Sequence, residues 1–271
     1  MLKDITLGQY FPGNTVAHRL DPRTKLLLTL FYIVGLFAAD SVLTYGIMIL
    51  VFMGCARVSH VGARALVRGL KPVLFIILFT GILNLFFTPG DDLFRFGVLH
   101  VSRQGLAMAV RMVLRIMLLI MGTFLLTYTT SPIRLTDGLE RLMGGLKKVR
   151  VPVHELAMMM SIALRFIPTL IEETDKIMSA QKARGADFES GNLFHKAKAL
   201  IPILVPLFIS AFRRADELAV AMECRCYHGG EGRTKLNPLK YAARDVLALL
   251  FGGAVTAGTH SSLLPIRFNV F

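Results

Sequence analysis

The chain has no tryptophan, only three cysteines in 271 residues, and 18 acids against 31 Lys and Arg. With Cys55 in an apolar run and Cys224 and Cys226 in a basic segment, the odd cysteine count argues against a disulfide framework. No G-x-x-x-x-G-K-[ST] phosphate loop occurs, so any ATP chemistry belongs to another chain. The first 25 residues have no apolar core and carry Asp4, Arg19, Asp21, Arg23 and Lys25. No cleavable signal peptide is therefore expected, and membrane entry falls to the first span. Basic residues are not interleaved with aromatics, so the net charge of +13 points to cytoplasmic segments and anionic lipid, not to nucleic acid.

What the chain does have is apolar residues, 54% of the total, with a mean hydropathy of +0.58. That is a membrane composition. "LLLTLFYIVGLFAA" (26–39) and "SVLTYGIMILVFMGCA" (41–56) flank Asp40 and are each short for a perpendicular span. They read as two spans joined at Asp40-Ser41. "RVSHVGARALVRGLK" (57–71) carries four Lys/Arg and no acid, which predicts a cytoplasmic loop and a cytoplasmic N-terminus. "PVLFIILFTGILNLFF" (72–87) is a third span, 88–103 an external loop, and 106–128 a fourth span. Arg111 and Arg115 in that span either snorkel to the outer interface or form a polar seam against protein; the lack of a carboxylate in a neighbouring span favours snorkelling. "VLALLFGGAVTAGTHSSLLP", from Val246, is the last span, and parity places the C-terminus outside.

The expected fold is an all-α membrane protein with about five short transmembrane helices and a large cytoplasmic set of amphipathic helices. Its divisions are 1–128 (membrane part), 129–241 (cytoplasmic helices) and 242–271 (final span and tail). Within the second, one helix starts at Ser131-Pro132 and another runs from Pro152 to about Gly185, kinked at Pro168. A third runs from about Asn192 to Arg225, bent at Pro202 and Pro206. Their C-terminal ends carry too much charge to cross lipid throughout.

Several metal or catalytic patterns start and do not finish. "HELAM" (154–158) matches half of a zinc-protease motif, with Met158 where the second His is required. Cys224, Cys226 and His228 lack a fourth ligand nearby, so no metal site is expected. Glu172-Glu173 reads as a solvated or charge-pairing patch, and no catalytic residue is assigned.

An internal repeat carries more information. Asp175, Ala180, Ala183, Arg184 and Gly185 align with Asp216, Ala221, Cys224, Arg225 and Cys226. In each copy a small residue lies one helical turn before an arginine, so another surface can approach while the guanidinium reaches acceptors. An arginine at a helix C-terminus also meets the macrodipole favourably and often does no more. Two copies, each closing a long amphipathic helix, shift the weight towards docking.

These helix ends, with "LGQYFPGNTVAHRLDPRTKLL" (7–27) and "DELAVAMECRCYHGGEGRTK" (216–235), resemble the transmembrane (T) component of energy-coupling factor vitamin transporters, of the type shared among several substrate-binding partners. The resemblance implies a non-catalytic scaffold in the cell membrane, binding no cofactor itself. It would join two ABC-type ATPases, which bind ATP and Mg, to one interchangeable membrane substrate-binding (S) component. It implies ATPase docking by Ala180, Ala183, Arg184, Gly185, Ala221, Cys224, Arg225 and Cys226 on cytoplasmic coupling helices. Met158, Met159 and Met160 are expected to face the S component, with shape-adaptable side chains. One departure is that Cys226 stands where the family pattern has glycine, which puts the equivalence of the two ends in question. The alternative is a conventional ABC permease forming the translocation path itself. An intramembrane enzyme would need paired carboxylates, His clusters or a nucleophile within spans, and the spans offer none.

Overall fold

In the computed structural model, residues 10–39, 41–89, 92–96, 99–188, 192–230 and 239–259 are described. Asp40, and with it the proposed turn, lies outside them. Apart from one hairpin, the described elements are helical: α1 (Val16–Arg19), α2 (Pro22–Ala38), α3 (Val42–Val58), α4 (Ala63–Leu70), α5 (Leu74–Phe87), β1 (Asp92–Phe96), β2 (Leu99–Ser102), α6 (Arg103–Thr129), α7 (Pro132–Leu142), α8 (Val153–Ala183), α9 (Leu193–Cys224) and α10 (Ala243–Thr259). This is an all-α membrane protein. It divides into two compact units, one within Gly8–Gly138 and Leu239–Phe271, the other within Leu139–Pro238.

The first unit holds the five apolar helices α2, α3, α5, α6 and α10. α2 starts at an Asp21 cap whose side chain accepts from Arg23 N, followed by Pro22 at the first helical position. α10 starts with a reciprocal arrangement in which Asp245 Oδ2 accepts from Ala242 N at 2.8 Å. The two starts are tied together, because Asp21 N donates to Asp245 Oδ1 at 2.8 Å. From there the helices run parallel, with Gly252 against Leu28 and Thr256 Oγ1 donating to Phe31 O. α6 returns antiparallel: Lys25 Nζ donates to Thr129 O, and Tyr32 Oη to Leu118 O. A Cβ on Gly122 would lie 2.5 Å from Tyr32, so glycine permits this close approach. Leu36, Met48, Phe52, Leu66, Leu118 and Tyr128 form the core. On α5 most apolar side chains instead point outward, Phe75 being 77% exposed, as suits a lipid-facing helix, while Ile77 is buried.

Three sequence expectations change. The segment expected to be an external loop contains the antiparallel hairpin β1–β2. Residues 63–70 of the expected loop are helical and continue through a short 3-10 turn into α5. Arg115 does not snorkel: its Nε donates to Tyr45 Oη at 3.0 Å and a terminal nitrogen to Ala39 O at 3.1 Å, with the Phe37 ring beside it. Carbonyl and phenol acceptors replaced the carboxylate whose absence had pointed to lipid. Exposed Arg111 bonds its own helix, at Ala107 O.

In the second unit, α8 and α9 form an antiparallel pair. Glu173 meets Ser210 and Arg214, Gln181 reaches Pro202 O, and Gly230 lies against the His154 ring. Both helices continue through their internal prolines, Pro168 in α8 and Pro202 and Pro206 in α9. Among the described residues, three helical stretches can cross a membrane by length and composition: Ala63–Phe87, Arg103–Thr129 and Val153–Ala183. In α8 the apolar stretch lies in the earlier turns, is less apolar than the other two, and precedes the charges gathered in the later turns.

Candidate partner-docking site

Each end of the repeat closes its helix with the same hydrogen bonds. After α8, Gly185 N donates to Lys182 O at 3.0 Å and Ala186 N to Gln181 O at 3.0 Å. After α9, Cys226 N donates to Glu223 O at 2.8 Å and Tyr227 N to Met222 O at 3.0 Å. This pairing, in which the first residue past the helix turns left-handed and the next amide reaches back a full turn, is the Schellman closure. Gly185 sits at φ +86° and Cys226 at φ +55°. The doubt over Cys226 is resolved at the level of backbone: cysteine takes the left-handed conformation that glycine takes in the first copy. The conformation is costlier for a residue with a Cβ.

Arg184 and Arg225 each occupy the capping position before that left-handed residue, and their side chains are exposed. Neither has an ion-pair partner among the described residues. Ala180, Ala183, Ala221 and Cys224 are also exposed, so small side chains flank each guanidinium and leave room for a second surface. Because α8 and α9 are antiparallel, the two ends lie at opposite extremes of the pair, about 40 Å apart at 1.5 Å per residue. The structure therefore assembles each group of four but keeps the two groups apart.

Met159 and Met160 are about half exposed, at 54% and 50%, and Met158 is half-buried. They lie in the first turns of α8, at the end of the pair where α9 finishes. Phe208, Ile209 and Phe212 on α9 add further exposed apolar surface. Sequence reasoning did not find the link that holds the pair in register. Glu173 accepts from Arg214 at 2.7 Å and from the Ser210 hydroxyl. The Glu172-Glu173 pair was a signal, but nothing in it named a partner forty-one positions away. A second link, His154 Nδ1 to Glu140 Oε1 at 3.0 Å, was also not legible.

Cys224 and Cys226 are exposed free thiols, and His228 Nδ1 donates to the Cys226 carbonyl at 2.9 Å. Among the described residues no group of three or more His, Cys, Asp or Glu is placed to hold a metal ion.

The sequence model of the CbiQ family, described as cobalt transport protein, matches residues 13–236. Proteins named energy-coupling factor transporter transmembrane protein EcfT are similar along nearly the whole length. The one from Acidaminococcus fermentans is 56% identical over 247 residues, covering 91% of this chain and 92% of the relative. That from Clostridium kluyveri is 57% identical over 252 residues, covering 92% and 93%. The Bacillus subtilis protein is 49% identical over 251 residues, covering 92% and 95%. The chain belongs to the CbiQ–EcfT family. Membership makes it a non-catalytic membrane component of a transporter, and the CbiQ–EcfT match spans both helix ends.

Proposed function

We propose that this chain is the scaffold of an energy-coupling factor transporter, passing the motion of two cytoplasmic ABC-type ATPases to a small membrane S component that takes up a vitamin or other micronutrient. ATP and Mg belong to the ATPases. Residues 129–241 are the coupling domain, and residues 1–128 with 242–271 the membrane part; the compact unit within Leu139–Pro238 falls inside the former interval. The observation that carries the reading is the pair of like-built helix ends. An antiparallel helix pair has a local two-fold axis across it, so identical plugs at its two extremes suit a partner that is itself a pair of similar subunits. Arg184 and Arg225, exposed and without an ion-pair partner among the described residues, are each available to one ATPase. Met158, Met159 and Met160 and the apolar face of α9 meet the S component, where adaptable side chains suit interchangeable partners. The Lys/Arg excess around α4 and at the starts of α2 and α10 supports a cytoplasmic N-terminus and cytoplasmic coupling helices.

Co-purification from native membranes in mild detergent, with subunits identified by mass, tests the reading. Two ATPases and one small membrane protein are expected per chain. A homodimer with ATPases and no small partner would instead favour the permease reading. Arg184→Glu combined with Arg225→Glu should leave insertion intact and abolish ATPase co-purification and uptake. An assembled, active double variant would overturn the docking roles.

A further inference from the structure

Two adjoining features of the first unit take no part in the docking just described. One is a polar recess bordered by Arg19, Arg134 and Arg244, with Tyr10, Asn14 and His18 between them. Its arginines come from α1, α7 and α10, so three distant chain segments bring three cations to one place. All three are exposed, and among the described residues none has an ion pair and no carboxylate lines the recess. The nearby acids Asp245, on α10, and Asp21, the cap of α2, are occupied elsewhere, and Asp137, three residues beyond Arg134 on α7, does not line the recess. Asp245 accepts from Asp21 N and Ala242 N, and Asp21 accepts from Arg23 N. His18 is also occupied, its Nε2 donating to Phe11 O at 3.0 Å while Nδ1 lies 2.7 Å from Thr15 Oγ1.

The other feature is an apolar cavity of about 580 Å³ between α1, α2, α3, α6 and α10, lined by Leu28, Phe52, Leu125, Phe251 and Val255 among others. The single turn of α1 stands between the two. Val16, Ala17 and Leu20 face the cavity, and His18 and Arg19 the recess. Lys25 lines the apolar side, with its Nζ bonded to the carbonyls of Thr129 and His18.

We propose that these features together bind one anionic glycerophospholipid. Its phosphate is held by Arg19, Arg134 and Arg244, and an acyl chain lies against the apolar face of α1 in the cavity. The recess lies at the end of the first unit where α2 and α10 begin and α6 finishes, the level at which headgroups meet spanning helices. Guanidinium groups match phosphate oxygens in charge and in paired hydrogen bonds. A soluble phosphate would use only the recess. A zwitterionic lipid would fill the cavity but leave the excess positive charge unanswered.

The test uses the full chain, stripped of lipid in mild detergent and titrated with dioleoyl phosphatidylglycerol, dioleoyl phosphatidylcholine or sn-glycerol 3-phosphate, with bound lipid counted by native mass spectrometry. The glycerol lipid should bind at least ~10-fold more tightly than the choline lipid, from three basic side chains at the surface. Replacing the cluster (Arg19→Gln, Arg134→Gln, Arg244→Gln) should abolish that preference. The exposed control Arg111→Gln, which lies outside the recess, should keep it. Ala248→Leu, narrowing the cavity, should weaken binding of both lipids. Equal binding of the two lipids, a preference that survives loss of the three arginines, or full competition by sn-glycerol 3-phosphate would each overturn the proposal.

Discussion

Arg214 on α9 reaches Glu173 on α8 at 2.7 Å, and the Ser210 hydroxyl shares the same carboxylate. This three-residue clamp sits partway along the antiparallel pair and sets which turns face each other. Both charged side chains are partly covered, at 29% and 22% exposure, so screening reduces the attraction without removing it. Glu173→Gln should cost about 1 kcal/mol, and the Glu173–Arg214 coupling from a double-mutant cycle should be of similar size. Thermal unfolding of the detergent-solubilised chain at low and high salt provides the measurement. Additive single variants would show that the clamp contributes nothing.

Cys226 and Gly185 hold the same left-handed position with different side chains. Cys226→Gly should therefore stabilise the end of α9 by about 1 kcal/mol, by removing a Cβ from a conformation that disfavours one. Gly185→Ala should destabilise the end of α8 by a similar amount. Space is not the cause, since nothing lies within 4 Å of a Cβ built on Gly185. Hydrogen exchange at Ala186 N and Tyr227 N reads the two closures separately. Unchanged protection in both variants would contradict this account.

Asp245 is 1% exposed and accepts from Asp21 N and Ala242 N, at 2.8 Å each. Asp245→Ala would leave two donors unsatisfied at the joint start of α2 and α10, a loss of about 3 kcal/mol. Asp245→Asn keeps one acceptor and should lose about half as much, because its amide nitrogen cannot accept from the second donor. Melting temperatures should order as wild type, Asn, Ala. Equal melting of all three would show that water satisfies these amides.

The two arginine-bearing helix ends were legible in the sequence because the signal is local. A small residue, an arginine and a helix terminator fall within a few positions, and the second copy repeats them. The apolar helices were legible for a similar reason, since a span is a run of neighbours. The position of Arg115 was not, because its acceptors are the Tyr45 phenol and the Ala39 carbonyl on other parts of the chain. A search for carboxylate partners overlooks a backbone oxygen as an acceptor. The hairpin β1–β2 was also missed, since its register depends on pairing between strands and not on composition.

By itself the sequence determined that the chain is apolar enough for a membrane and that two arginines end two long helices. Each of these follows from residues within a few turns of one another. Only the tertiary structure decided that α2 and α10 start together and run parallel, because that depends on an Asp21–Asp245 bond spanning nearly the whole chain. It alone set the arginine ends at opposite extremes of an antiparallel pair, through cross-helix bonds from Glu173 and Gln181. Side-chain partners chosen across long loops depend on packing, which local pattern does not encode.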